Sequence, residues 1–147
     1  MNASFDLDFN DAQDSGIFFV TSDDLDPLGD AAGMEGLTVC RASLDGYTNR
    51  ELLFDRLTPA LRLPGDFGRN WDALADSLRD LSWLKAPGVT LLLDHADLMR
   101  EANEDDFETL LDILEDTVDF WQEEGKPFFV FFALPESAFD DSDDSDD

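Results

Sequence analysis

Hydrophobic positions along this chain fall into two kinds of pattern, and each predicts a different element. The first kind is a short continuous apolar run. Residues 17–20 (Ile-Phe-Phe-Val), 37–42, 89–93 and 128–133 are of this kind, and runs of this length bounded by chain breakers read as strands. The last two are apolar almost throughout, with no polar alternation. A strand reads that way when both of its faces are covered, which is usual in a parallel sheet. The second kind is a stripe at spacings of three and four. Trp71, Leu74, Leu78 and Leu81 form one stripe, with Asn70 ahead of it as a cap residue. Phe107, Leu110, Leu111, Leu114, Val118 and Trp121 form a longer one. It predicts a helix over about 105–123, stopped by Gly125. Weaker signals place a helix over 25–34, with Pro27 near its first turn, and another from Arg50. The latter is capped by Thr48 or Asn49, carries Leu53 and Leu57 on one face, and is ended or kinked by Pro59. Strands separated by helices predict an α/β fold: a small, mainly parallel sheet of about four strands packed with about four helices, joined by right-handed crossovers.

The pattern also predicts boundaries. Residues 1–15 read as an acidic flexible lead-in, 16–136 as the folded α/β domain, and 137–147 as a disordered acidic tail. From Asp140 onward the tail holds only Asp and Ser, and such a segment has nothing to bury. Between the helix from Arg50 and the helix from Trp71 lies a connector rich in breakers, Leu63-Pro64-Gly65-Asp66-Phe67-Gly68.

Charge narrows the partners. Nine basic residues stand against 36 acidic ones, for a net charge of −27. Nucleic acid and anionic membrane surfaces are therefore excluded as partners, because binding them needs Lys and Arg. Basic proteins are attracted, and their encounter is faster. Solubility or adaptation to high salt is the plainer account of the same excess. A hydrophobic content of 43% with 13 Phe excludes a chain disordered throughout. The lone cysteine, Cys40, lies in an apolar run beside Val39 and is expected to be a buried structural thiol. An unpaired cysteine favours a reducing compartment. With no signal-like N-terminus and no apolar run of membrane-spanning length, the expected location is cytoplasmic.

Catalytic chemistry finds little support. No Gly-rich phosphate loop occurs. The single histidine, His95, sits between Asp94 and Asp97 at a strand end, and no serine lies in a nucleophile-elbow context. Asp6-x-Asp8-x-Asn10 opens like a calcium loop. It then has Asp11 where the turn needs Gly, and Ile17 where the ion needs a bidentate Glu. No enzyme, metal or cofactor is expected.

The informative segment is Leu63-Pro64, then Phe67-Gly68-Arg69-Asn70-Trp71-Asp72-Ala73-Leu74-Ala75-Asp76-Ser77-Leu78. Asp72, Asp76 and Asp80 recur every four residues and share one helix face. Asp72 falls in the first turn, where the helix dipole favours an anion. Arg79, three residues beyond Asp76, can offset part of the repulsion. The face is then either a solvated acidic surface trimmed by that pair or a carboxylate array that imitates phosphates.

This segment resembles the barstar family, intracellular inhibitors of small secreted ribonucleases. The shared pattern is Leu-Pro, aromatic-Gly, Asn, Asp-Ala-Leu and a further Asp, and the resemblance extends over roughly residues 37–134. Residues 16–36 look like an added strand and helix. The resemblance implies that the connector and helix plug a basic ribonuclease active site. Asp72 and Asp76 stand where the family's helix aspartates meet basic residues, with Gly68 and Asn70 shaping the loop and Glu124 as a peripheral acid. Phe67 keeps one loop aromatic. Asp66 replaces another, Ala75 replaces a Trp beside the second aspartate, and Phe120 replaces a contact acid. With Arg79, and without Phe120, these residues form the expected partner-binding set. The implied role is an antitoxin or immunity protein. The alternative is an acidic binding module, or nucleic-acid mimic, for another basic protein. Oligomeric state stays open.

Overall fold

Each apolar run becomes a strand, and two of the four, residues 89–93 and 128–133, are covered on both sides. A computed structural model describes residues 8–65, 67–81, 84–85 and 87–137. The strands are β1 (Gly16–Thr21), β2 (Thr38–Ser43), β3 (Val89–Asp94) and β4 (Phe128–Leu134). They form one sheet in the order β1-β4-β3-β2, and every neighbouring pair is parallel. The two central strands, β3 and β4, are the two least alternating runs, as double coverage requires.

Between the strands, the described residues form the helices α1 (Ser22–Met34), α2 (Arg50–Leu61), α3 (Trp71–Asp80), α4 (Ala96–Ala102) and α5 (Glu104–Glu123). The sheet therefore has two unequal faces. On the larger face Cys40, Leu91, Leu93, Phe128, Val130 and Phe132 meet the apolar stripes of α2, α3, α4 and α5. On the other face Leu25, Leu28 and Ala32 of α1 cover Leu92, Phe129 and Phe131. Phe9, from the segment before β1, packs edge-on to Phe129 at a ring separation of 4.8 Å.

Local signals explain most boundaries. Asn49 caps α2 by accepting from Glu51 N–H at 3.0 Å, and Asn103 caps α5 by accepting from Asp106 N–H at 3.0 Å. Asp24 accepts from both the backbone N–H and the hydroxyl of Thr21 at the start of α1. Pro59 lies in the last turn of α2, which runs on to Leu61 and closes through left-handed Arg62. Leu81 is buried as predicted, but as the left-handed cap of α3 (φ 45°) rather than its last helical residue. The helix without a sequence signal is α4. It is seven residues long, starts at left-handed His95, and has no side-chain cap bond. Gly88 is required before β3, since a Cβ there would lie 2.7 Å from the Pro127 ring.

Among the described residues, no helix is long and apolar enough to cross a membrane. Residues 1–7 and 138–147, which include most of the expected acidic tail and the Asp6 end of the calcium-like motif, lie outside the described residues.

Candidate functional site

The corner between α2 and α3 is held from both ends by short-range contacts. At the α2 end, Leu63 N–H donates to Thr58 O at 2.9 Å and Arg62 N–H to Pro59 O at 3.3 Å. These bonds satisfy carbonyls that a helix end leaves open. Leu63 is buried, so the connector leaves the helix from an anchored point. Phe67 N–H then donates to Pro64 O at 2.9 Å and turns the chain. Asp66, within that turn, lies outside the described residues. Phe67 is half-buried, with its ring edge-on to buried Phe54 of α2 at 5.9 Å. Trp71 meets the same Phe54 ring edge-on at 5.5 Å.

Arg69 is the residue that sequence reasoning missed. Its backbone is left-handed (φ 55°). Its guanidinium reaches back to α2, 3.1 Å from Glu51 and 2.5 Å from Asp55. Those two carboxylates raise its affinity for the proton, through the hydrogen bond it donates to Asp55 first and the one it donates to Glu51 second. Glu51 and Asp55 are themselves four apart on one helix face. That pair was the one available signal that a cation should come to meet it. Gly68 keeps the turn tight, since a Cβ there would lie 3.2 Å from the Ala73 Cβ. Asn70 completes the anchor: its Oδ1 accepts from Ala73 N–H at 2.8 Å, and its Nδ2 donates to Gly68 O at 3.3 Å.

From this anchored start, α3 buries Leu74 and Leu78 and turns the opposite side outward. Asp72, Asp76 and Asp80 are exposed, while Ala75 is half-buried. Arg79 contacts Asp76 at 2.7 Å, the predicted pairing one turn on, yet the Asp76 side chain stays 76% exposed. Among the described residues Asp72 and Asp80 make no ion pair. The far end of α3 is fixed by Trp121 of α5, whose Nε1 donates to Leu78 O at 2.9 Å. Glu124, the exposed cap residue of α5, lies just beyond that Trp. Chain continuity thus brings Phe67, Gly68, Asn70, Asp72, Ala75, Asp76 and Arg79 onto one corner. Glu124 lies on another element, three residues beyond the Trp121 that ties α5 to α3. Phe120 is 38% exposed on α5. The result is a preformed row of carboxylates on a helix that cannot easily tilt. Such a surface attracts guanidinium and ammonium groups and gives them charge-assisted bonds.

Two other sequence features have definite surroundings. Ser22, His95, Asp97 and Leu134 line a cleft of about 150 Å³ at the carboxyl ends of the strands. No hydrogen bond joins Ser22, His95 and Asp97 among the described residues. Cys40 is 3% exposed on β2. Burial pushes its thiol up to about 11, against a smaller lowering by Arg62, so it is a packing group with little thiolate to react. Among the described residues, no three His, Cys, Asp or Glu side chains are grouped to hold a metal ion.

A search among curated proteins finds no match to this chain. Residues 37–133, more than half of the chain and including the whole α2–α3 corner, match the model of the family described as Barstar (barnase inhibitor), and the chain belongs to that family.

Proposed function

We propose that this protein inhibits a basic ribonuclease in the cytoplasm by seating the α2–α3 corner in the enzyme's active site. Family membership supports the class of partner. The single observation that carries the mode of binding is the exposed carboxylate row on α3, set on a loop pinned by Arg69 and Asn70. A ribonuclease must stabilise a phosphate in its transition state and does so with cationic side chains. Asp76 enters that pocket in place of a phosphate, trading its exposed Arg79 contact for bonds to the enzyme. Asp72 takes a second cation one turn away. Phe67 and Gly68 shape the rim, and Glu124 makes a peripheral contact. The surrounding negative field speeds encounter and makes it salt-dependent. The role is that of an antitoxin or immunity protein, with no catalysis of its own.

The test is inhibition of small basic ribonucleases by the wild type and by Asp76→Ala. Losing hydrogen bonds to a charged group removes about 1.5–3 kcal/mol, roughly ten- to 150-fold in affinity. Potent inhibition left intact by Asp76→Ala would overturn the site. The net charge of −27 motivates a second reading, a nucleic-acid mimic that binds another basic protein through diffuse charge. Removing residues 140–147 discriminates the two. A diffuse mimic weakens, whereas a plug centred on Asp72 and Asp76 is almost unchanged.

A further inference from the structure

The two edges of the sheet are protected very differently. An edge strand offers unpaired N–H and C=O groups to any extended chain, and proteins usually guard it with charge or proline. On β2, Arg41 provides the guard, paired with Asp26 of α1 and Asp94 of β3. β1 has no such residue: its sequence is Gly-Ile-Phe-Phe-Val-Thr, and among the described residues it pairs only with β4. Phe19 is 42% exposed there, although it stacks on Phe132 at 5.4 Å.

Alongside this edge runs a groove of about 340 Å³ between β1 and α5, lined by Ser15, Gly16, Ile17, Glu115, Val118, Asp119 and Gln122. Ile17 and Val118 supply apolar surface, and exposed Glu115 and Asp119 supply charge. The groove is preformed. Gln122 Nε2 is spent on Ala12 O and Gln13 O, each at 3.2 Å, and Ser15 Oγ accepts from Phe128 N–H at 2.9 Å. It is also separate from α3, because Trp121 faces Leu78 while Glu115 and Asp119 face β1.

The geometry points to this edge as a docking site for an extended basic segment of a protein partner, added as a fifth strand beside β1. Residues four apart on a helix stand about 6 Å apart, and alternate residues of a strand about 6.5 Å apart. Lys or Arg at every second position of the added strand would thus meet Glu115 and Asp119 in step, while its backbone pairs with β1. Charge selects this occupant. A second copy of this chain brings another −27, and the chain's own residues 140–147 are Asp and Ser only. Both are repelled from the carboxylates of the groove.

The probe is a short peptide of alternating valine and lysine, about as long as the strand. It is compared with its fully N-methylated counterpart, which keeps the charge but cannot pair as a strand. Binding to the full chain is followed by peptide fluorescence anisotropy at about 0.15 M salt. The parent peptide binds, and N-methylation weakens it by about tenfold or more, the loss of at least one net hydrogen-bonded contact. Glu115→Gln with Asp119→Asn weakens it to a similar degree without altering ribonuclease inhibition, and Asp72→Asn with Asp76→Asn leaves peptide binding intact. Three results would overturn the proposal. They are no binding of the parent peptide, equal binding of the N-methylated peptide, and self-association of the chain that Phe19→Lys abolishes.

Discussion

The centre of the sheet and the α2–α3 corner are built by opposite means. In β3 and β4 order comes from exclusion of water: Phe128, Phe129, Val130, Phe131 and Phe132 are all at 0% exposure. In the corner, order comes from a few polar contacts at the surface, and the residues so placed are left open to solvent. The row at Asp72, Asp76 and Asp80 even works against stability, since like charges four apart on a helix cost about 0.2–0.5 kcal/mol per pair. The first region holds the fold and is closed to solvent. The second spends a little stability to present charge. Substitutions should therefore separate the two, moving one property and leaving the other.

The largest separation is expected at Phe132, which is fully buried and ringed by Phe19 and Phe107. Phe132→Ala should lower unfolding free energy by about 3–5 kcal/mol. Chemical denaturation reads this, while inhibition by the folded fraction stays unchanged. Next comes Cys40, the one titratable thiol inside the apolar region. Its folded value of about 11, against an ordinary 9.0, keeps a proton that the unfolded chain has lost between those limits. Stability is then intact below pH 9 and falls as pH rises toward 11, by roughly 2–3 kcal/mol in all from linkage. Thermal unfolding between pH 8 and 11 should show a shallower alkaline decline for Cys40→Ala than for wild type.

In the corner the signs reverse. Asp76→Ala, already expected to weaken inhibition, should leave denaturant stability within about 0.5 kcal/mol, as for an exposed position away from special features. A marked loss of stability would mean that Asp76 belongs to the fold and not to a binding surface. The smallest effect is that of Asn70, which serves both regions. Losing the cap in Asn70→Ala should cost about 1 kcal/mol of stability and loosen the start of α3. Inhibition should fall less than for Asp76→Ala, and Asn70→Asp, which can still cap, should restore the stability.

The same contrast explains what could be read in the sequence. Burial writes itself into the chain as periodicity, so β3, β4, α3 and α5 were predictable within a residue or two. α4 was not: among its seven residues only Ala96 and Met99 are buried, and it begins without a side-chain cap. At the corner, Asn70 and the Asp76–Arg79 contact were legible because both are local. Arg69 was not, because its partners lie 14 and 18 residues upstream on another helix and nothing in the residues beside it requires φ 55°. The spacing of Glu51 and Asp55 indicated a cation but not which one. Side-chain identity conveyed the acidic face of α3 and its Asn70 cap, and tertiary geometry alone conveyed the Arg69 clamp.

The placement of α1 carries a consequence for the limits of the family match. Residues 37–133 coincide with that match, yet the lid over Leu92, Phe129 and Phe131 comes from Phe9, Leu25, Leu28 and Ala32. A fragment trimmed to the matched boundaries would keep every residue of the α2–α3 corner and leave Leu92, Phe129 and Phe131 bare on its reverse side. Such a fragment should be sticky, which makes Phe9 and α1 a cover for an otherwise one-sided layer.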